Sequence, residues 1–125
     1  MSKNKTNEYK LEELPLDKIR GCYDGMDSFY EYMKEKKYKI DKLKEDIKKE
    51  GLINPLIVWN TENEYSQYKY FIKDGNHRLQ LLKDITIENN KKLEAIKIPV
   101  FVIKGSNNED IMNNTISKIK KEHYI

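Results

Sequence analysis

Asp74-Gly75-Asn76-His77-Arg78 places a carboxylate, a glycine, an amide, an imidazole and a fixed cation side by side. The run lies between the alternating Tyr68, Tyr70 and Ile72 and the helix-forming Leu79-Gln80-Leu81-Leu82. A strand is therefore expected to end here, a glycine to turn the chain and a helix to begin. Such a junction collects backbone N–H groups and the positive end of a helix dipole at one point, which suits a phosphate. Gly75 lets the backbone approach an anion closely. The N–H groups of Asn76, His77 and Arg78 can donate to it, and the Arg78 guanidinium can add bidentate charge-assisted bonds. His77 can bind a phosphate oxygen or carry a proton near neutral pH. Asp74 could hold Mg2+ with phosphate oxygens, accept a proton from a hydroxyl nucleophile, or only close the turn on backbone N–H groups. The competing reading is a connective turn, since Gly-Asn is a common turn pair. Against it, His77 and Arg78 fall in the first helical turn, where each cation opposes the dipole by up to about 1 kcal/mol. A bound anion removes that conflict.

Other chemistries leave no pattern. The chain has no Walker-type phosphate loop, no cysteine pair, no His-x-x-x-His and no readable Ser-His-Asp arrangement. Cys22 lacks an activating partner and reads as a passive thiol, and His123 reads as solvent exposed.

The elements that must position the turn follow from periodicity. Residues 1–9 are polar and read as a flexible N-terminus, with a single domain over 10–125. Leu11, Leu14, Leu16 and Ile19 mark a first strand, turned near Pro15. The loop Arg20 to Gly25 is either a connector or a ligand edge, in which case Arg20 and Asp24 reach the nucleotide. A helix starts near Asp27, with Ser28 and Glu31 as a capping box and Phe29, Tyr32 and Met33 as its stripe. A second runs from Asp41 to Glu50, with Leu43 and Ile47 inward and Lys42, Lys44, Glu45, Lys48 and Lys49 toward water. Gly51 is its left-handed cap, and Leu52 is placed to fold back on Ile47. Leu56-Ile57-Val58-Trp59 is a buried strand, Thr61 to Gln67 a long hairpin loop and Tyr68 to Lys73 the return strand. The helix after the turn is expected to reach Lys83 or Asp84. Ile98 to Ile103 is another buried strand, with Pro99 at a sheet edge or strand end. The last helix, Asn107 to about Glu122, carries Ile111, Met112, Ile116 and Ile119 at helical spacing. It is expected to face its own core, with a homodimer contact as the alternative.

The 125 residues suit one domain of α+β class, a small mixed sheet flanked by helices. Net charge is +3, from 24 basic and 21 acidic residues, far from the balance of a histone-like nucleic-acid binder. Any DNA binding is expected to be weak and non-specific. A single cysteine, no apolar leader and no membrane-length apolar run point to a cytoplasmic protein.

Asp74-Gly75-Asn76-His77-Arg78 resembles the phosphate motif of the ParB/sulfiredoxin superfamily. Glu50-Gly51-Leu52-Ile53-Asn54-Pro55-Leu56-Ile57-Val58 is similar to that family's GIxQPLxV segment. Leu14 to Arg20 and Ile98 to Val102 resemble its opening and closing strands. The resemblance implies a nucleoside triphosphate, ATP or CTP with Mg2+, held by Asn54, Pro55, Gly75, Asn76, His77 and Arg78. It leaves the reaction open. Sulfiredoxins carry a nucleophilic cysteine where Asn76 stands, and ParB clamps commonly an acidic residue there. The downstream DNA-binding and dimerisation domains of ParB do not follow in a chain that stops at Ile125. Relatives with a similar motif include free-serine kinases and ParB-like nucleases. The resulting expectation is phosphate hydrolysis or transfer, with Asp74 and His77 as catalytic candidates and Asp74 as metal ligand. A nuclease or DNA-binding regulator, or a catalytically silent interaction module, are the alternatives.

Overall fold

A computed structural model describes residues 5–22, 40–64 and 69–125. The expected capping box at Ser28 and Glu31 and its apolar stripe, Asp24, and the start of the return strand at Tyr68 lie outside the described residues.

Five strands form one mixed sheet: β1 (Glu8–Pro15), β2 (Ile19–Arg20), β3 (Leu56–Asn60), β4 (Tyr70–Asp74) and β5 (Lys97–Lys104). Their order is β1-β5-β3-β4-β2. β1 is antiparallel to β5, β5 parallel to β3, β3 antiparallel to β4 and β4 parallel to β2. The described helices are α1 (Ile40–Glu50), α2 (Asn76–Glu88) and α3 (Glu109–His123). The α+β class expected from the alternation of apolar strands and helical runs holds. Among the described residues no helix is long and apolar enough to cross a membrane.

Two of the three interior strands, β3 and β5, explain the uninterrupted apolar runs. β3 and β5 are adjacent, with Leu56 beside Val100, Ile57 beside Phe101 and Val58 beside Val102. Leu56, Val58, Val100 and Val102 pack with Leu79 of α2, whereas Ile57, Phe101 and Ile103 pack with Met112 and Ile119 of α3. A strand covered on both faces has no position for a polar side chain. Pro99 is the third residue of β5, opposite Glu13 of β1, and precedes Val100, the first β5 residue with a β3 partner; it is therefore neither on an edge strand nor at a strand end.

Four further expectations are corrected. The N-terminus is not free through residue 9, because Glu8 and Tyr9 already belong to β1. Ahead of them, the Asn7 side chain exchanges hydrogen bonds with Ser106, and the Asn7 N–H donates to Thr115 Oγ1 at 2.9 Å. The polar composition there is that of an edge strand whose Glu8, Lys10 and Glu13 stay exposed. Lys44 does not simply face water, since its side chain is 15% exposed and pairs with Glu88. Leu52 packs against the sheet core instead of closing on Ile47. The cap itself is the single-bond form, with Gly51 (φ 72°) donating its N–H to Ile47 O at 2.8 Å. Finally, α2 continues past Asp84 to Glu88 because Thr86 is buried and its hydroxyl donates to Leu82 O at 2.7 Å.

α3 faces its own core through Met112, Thr115 and Ile119. Its N-cap is Asn108, whose Oδ1 accepts from Asp110 N at 3.0 Å and Ile111 N at 3.2 Å. Asn108→Ala should lower the unfolding free energy by about 1 kcal/mol, read from a shifted urea midpoint at unchanged slope. An unchanged midpoint would mean the cap does not hold this helix.

Candidate functional site

β4 ends at Asp74, which lies beside Ile57 where the β3–β4 register shifts by a bulge. The chain then turns at Gly75, with φ 103° and ψ 30°. A Cβ at this position would sit 2.5 Å from Leu56 Cδ2 and 3.3 Å from Arg78 Nη2, so the strand below and the arginine above leave room only for hydrogen. Gly75 also occupies the N-cap of α2 but offers no side-chain cap, and the first turn holds no acidic residue. The first intrahelical bond runs from Leu79 N–H to Gly75 O at 2.8 Å. The N–H groups of Asn76, His77 and Arg78 thus lie ahead of the helical ladder, at the positive end of the dipole.

Arg78 folds back over the turn. Its Nη2 lies 3.4 Å from Asp74 Oδ2, and its Nη1 donates to Asn54 O at 3.4 Å. It so joins the turn to the 51–55 segment that links α1 to β3. Asn76 Oδ1 accepts the Cys22 N–H at 3.1 Å and ties the turn to the chain leaving β2. Asp74, Asn54, Pro55, Gly75, Asn76, His77 and Arg78 are therefore brought together. Arg20 is exposed on β2, beside Phe71.

Two residues with no signal in the motif complete the cluster, both from the far end of α3. Lys120 Nζ lies 2.8 Å from Asp74 Oδ1. The Tyr124 hydroxyl donates to Pro55 O at 2.6 Å and lies 3.2 Å from Asp74 Oδ2. Burial, and then the Asp74 charge, push the Tyr124 phenol above its usual range, so it stays protonated. Lys120 and Tyr124 stand at helical i, i+4 spacing beside the buried Ile119, the one sequence feature that sets them on a common face. His123 is exposed, as expected, with its ring 4.9 Å from that of Phe101.

Both Asp74 oxygens are thus engaged by cations or a hydroxyl. Among the described residues no three His, Cys, Asp or Glu side chains gather where a metal ion could be held. As placed, this donor set does not fit a protein-held Mg2+. A groove of about 280 Å³ opens beside Arg78, lined by Leu43, Ile47, Leu52, Ile53 and Asn54, with Asp46 and Glu50 on its rim. A separate depression of about 360 Å³, lined by β1 and β5 residues with Asn60 and Tyr70, shares no residue with the turn.

Burial lowers the His77 pKa below its ordinary value of 6.5. An NMR titration should find its midpoint below that of a free histidine. The unfolded chain then binds more protons than the native one between the two values, so stability rises with pH across that window and falls on acidification through it. His77→Gln should flatten that part of the pH profile. A midpoint above the ordinary value would place an unforeseen anion at the ring.

A family model described as the ParB N-terminal domain matches residues 1–119. No curated protein matches the chain. Among solved structures, sulfiredoxin from Arabidopsis thaliana is similar at 20% identity with a TM-score of 0.45, over 90% of this chain and 94% of that one. A Pnob8-like ParB-N domain aligns at 16% identity and TM-score 0.47, over 92% of this chain and 33% of its own. The C-terminally truncated chromosome-partitioning protein ParB from Caulobacter crescentus, complexed with CTP-gamma-S, aligns at 14% identity and TM-score 0.49, over 90% and 52% respectively. The chain thus spans about a third and about half of the two ParB structures.

Proposed function

The chain belongs to the ParB N-terminal domain family, and from that premise we propose that it binds a nucleoside triphosphate, ATP or CTP, with the phosphates on the Gly75 turn. The observation that carries this reading is the helix N-terminus at Gly75. It is too crowded for any Cβ, has no side-chain cap and no acid in its first turn, and lies under a guanidinium. Glycine is what the backbone requires at the cap itself, but a first turn selected for stability alone would carry Asp or Glu in place of the cationic Arg78. The backbone of Asn76, His77 and Arg78 would hold phosphate oxygens, and Arg78 would exchange its long contacts for charge-assisted bonds to them. The nucleoside would lie in the groove between α1 and Asn54, whose volume is close to that of small-ligand clefts. Mg2+ would arrive with the triphosphate and not on a protein carboxylate.

Turnover, by hydrolysis or by transfer, would use His77. Its lowered pKa leaves the imidazole neutral at pH 7, the form that accepts a proton from an attacking hydroxyl. Asp74 serves in this reading as countercharge to Arg78 and Lys120. Calorimetry with CTP and with ATP, each with and without Mg2+, tests the reading. A dissociation constant below about 1 mM for either supports it. No heat from either nucleotide at millimolar concentration would refute it.

A further inference from the structure

Asp74 holds its two cations unequally. Lys120 Nζ is 2.8 Å from Oδ1, within the range of a full charge-assisted hydrogen bond, whereas Arg78 Nη2 stands 3.4 Å from Oδ2. The second Arg78 contact, to Asn54 O, is also 3.4 Å. Arg78 also meets the Tyr124 hydroxyl, so it is positioned over the turn while its contacts to Asp74 and Asn54 stay long. Asp74 and Arg78 are about three-quarters buried, with side-chain exposures of 23% and 24%, so their charges are screened less than those of a surface pair. Lys120, 45% exposed, reaches in from α3. The Tyr124 hydroxyl is the remaining group at the carboxylate, and it brings no charge.

The cost of moving Arg78 depends on what Asp74 keeps. If Arg78 were the sole cation, taking it onto a phosphate would strand a largely buried carboxylate beside a polyanion, and the two would repel. With Lys120 in place, Asp74 remains neutralised and the network of one acid and two bases has a positive charge to spare. We propose that Lys120 is a positioning residue for ligand binding: by neutralising Asp74 it releases Arg78 to the phosphate of the ligand. The inference rests on the nucleotide reading of the Gly75 turn and adds to it a residue on a different element, acting through Asp74 and not by touching the ligand.

The test measures the dissociation constants of CTP and ATP, with Mg2+, for wild type, Lys120→Met, Asp74→Asn and the double variant. Lys120→Met should weaken binding about tenfold, because Arg78 is then claimed by Asp74. Asp74→Asn should bind at least as tightly as wild type, since the competing anion is gone. The double variant should match Asp74→Asn within about twofold, showing that the lysine matters only while the carboxylate is charged. Lys120→Arg, which keeps the charge, should stay near wild type and excludes misfolding as the cause. If Lys120→Met weakens binding equally in the Asp74→Asn background, Lys120 contacts phosphate itself and the positioning role is overturned. Unchanged binding in Lys120→Met overturns it too. If wild type binds neither nucleotide, the reading of the turn fails first, and the role of Lys120 falls with it.

Discussion

Gly75→Ala is expected to destabilise the fold by about 2–6 kcal/mol, the largest effect of any single methyl added to this site. Two independent terms combine. A residue with a Cβ held at φ 103° lies outside the backbone regions open to L-amino acids and carries about 1–3 kcal/mol of strain. The new methyl would also stand 2.5 Å from Leu56 Cδ2, and Leu56 is fully buried in an interior strand, so it cannot swing away. Overpacking of that kind costs about 1–3 kcal/mol more. Urea denaturation gives the difference directly. The flexible Arg78 tip, at 3.3 Å, can give way and should not add to the loss. A variant within about 0.5 kcal/mol of wild type would show that the turn relaxes and that Gly75 is not required by the backbone.

Arg78→Ala should separate binding from stability. In the apo protein the arginine makes two contacts of 3.4 Å, and Asp74 keeps Lys120 and Tyr124 when it is removed. Long, partly exposed ion pairs of this kind contribute about 1 kcal/mol or less. Removing a cation from the first helical turn also relieves its conflict with the dipole, which offsets part of that loss. The triphosphate, in contrast, loses a charge-assisted partner worth about 1.5–3 kcal/mol, or roughly 10- to 150-fold in affinity. The pair of measurements is an apo denaturation midpoint and a dissociation constant for CTP or ATP. Unfolding of the apo variant would make the arginine structural. Unaltered affinity would remove it from the ligand.

Local chemistry was readable from the chain; long-range neighbours were not. The Asp74-Gly75-Asn76 junction and the interior strand at Leu56 to Val58 each declare themselves within a few residues, because glycine and continuous apolarity act on their own surroundings. The end of α2 reads too early, at Lys83 or Asp84, because the polarity of Thr86 and Glu88 says nothing of the buried hydroxyl bond to Leu82 or of the Lys44 partner. Glu8 and Tyr9 read as free chain because an edge strand needs few apolar residues. The role of Asp74 was least legible. Its own neighbours suggest a base or a metal ligand, and only the docking of α3 brings Lys120 and Tyr124, the latter 50 residues away, onto its oxygens.

The strand order has a consequence for self-association. Among the described residues the edge strands of the sheet are β1 and β2, and neither is an inviting template. β2 is two residues long. β1 is longer but carries Glu8, Lys10, Glu12 and Glu13 along its eight residues, so a strand laid against it would have to accommodate this row of charges. The long apolar strands that could nucleate cross-chain ladders, β3 and β5, are sealed in the middle of the sheet. Cross-chain pairing at β1 and β2 is thereby disfavoured.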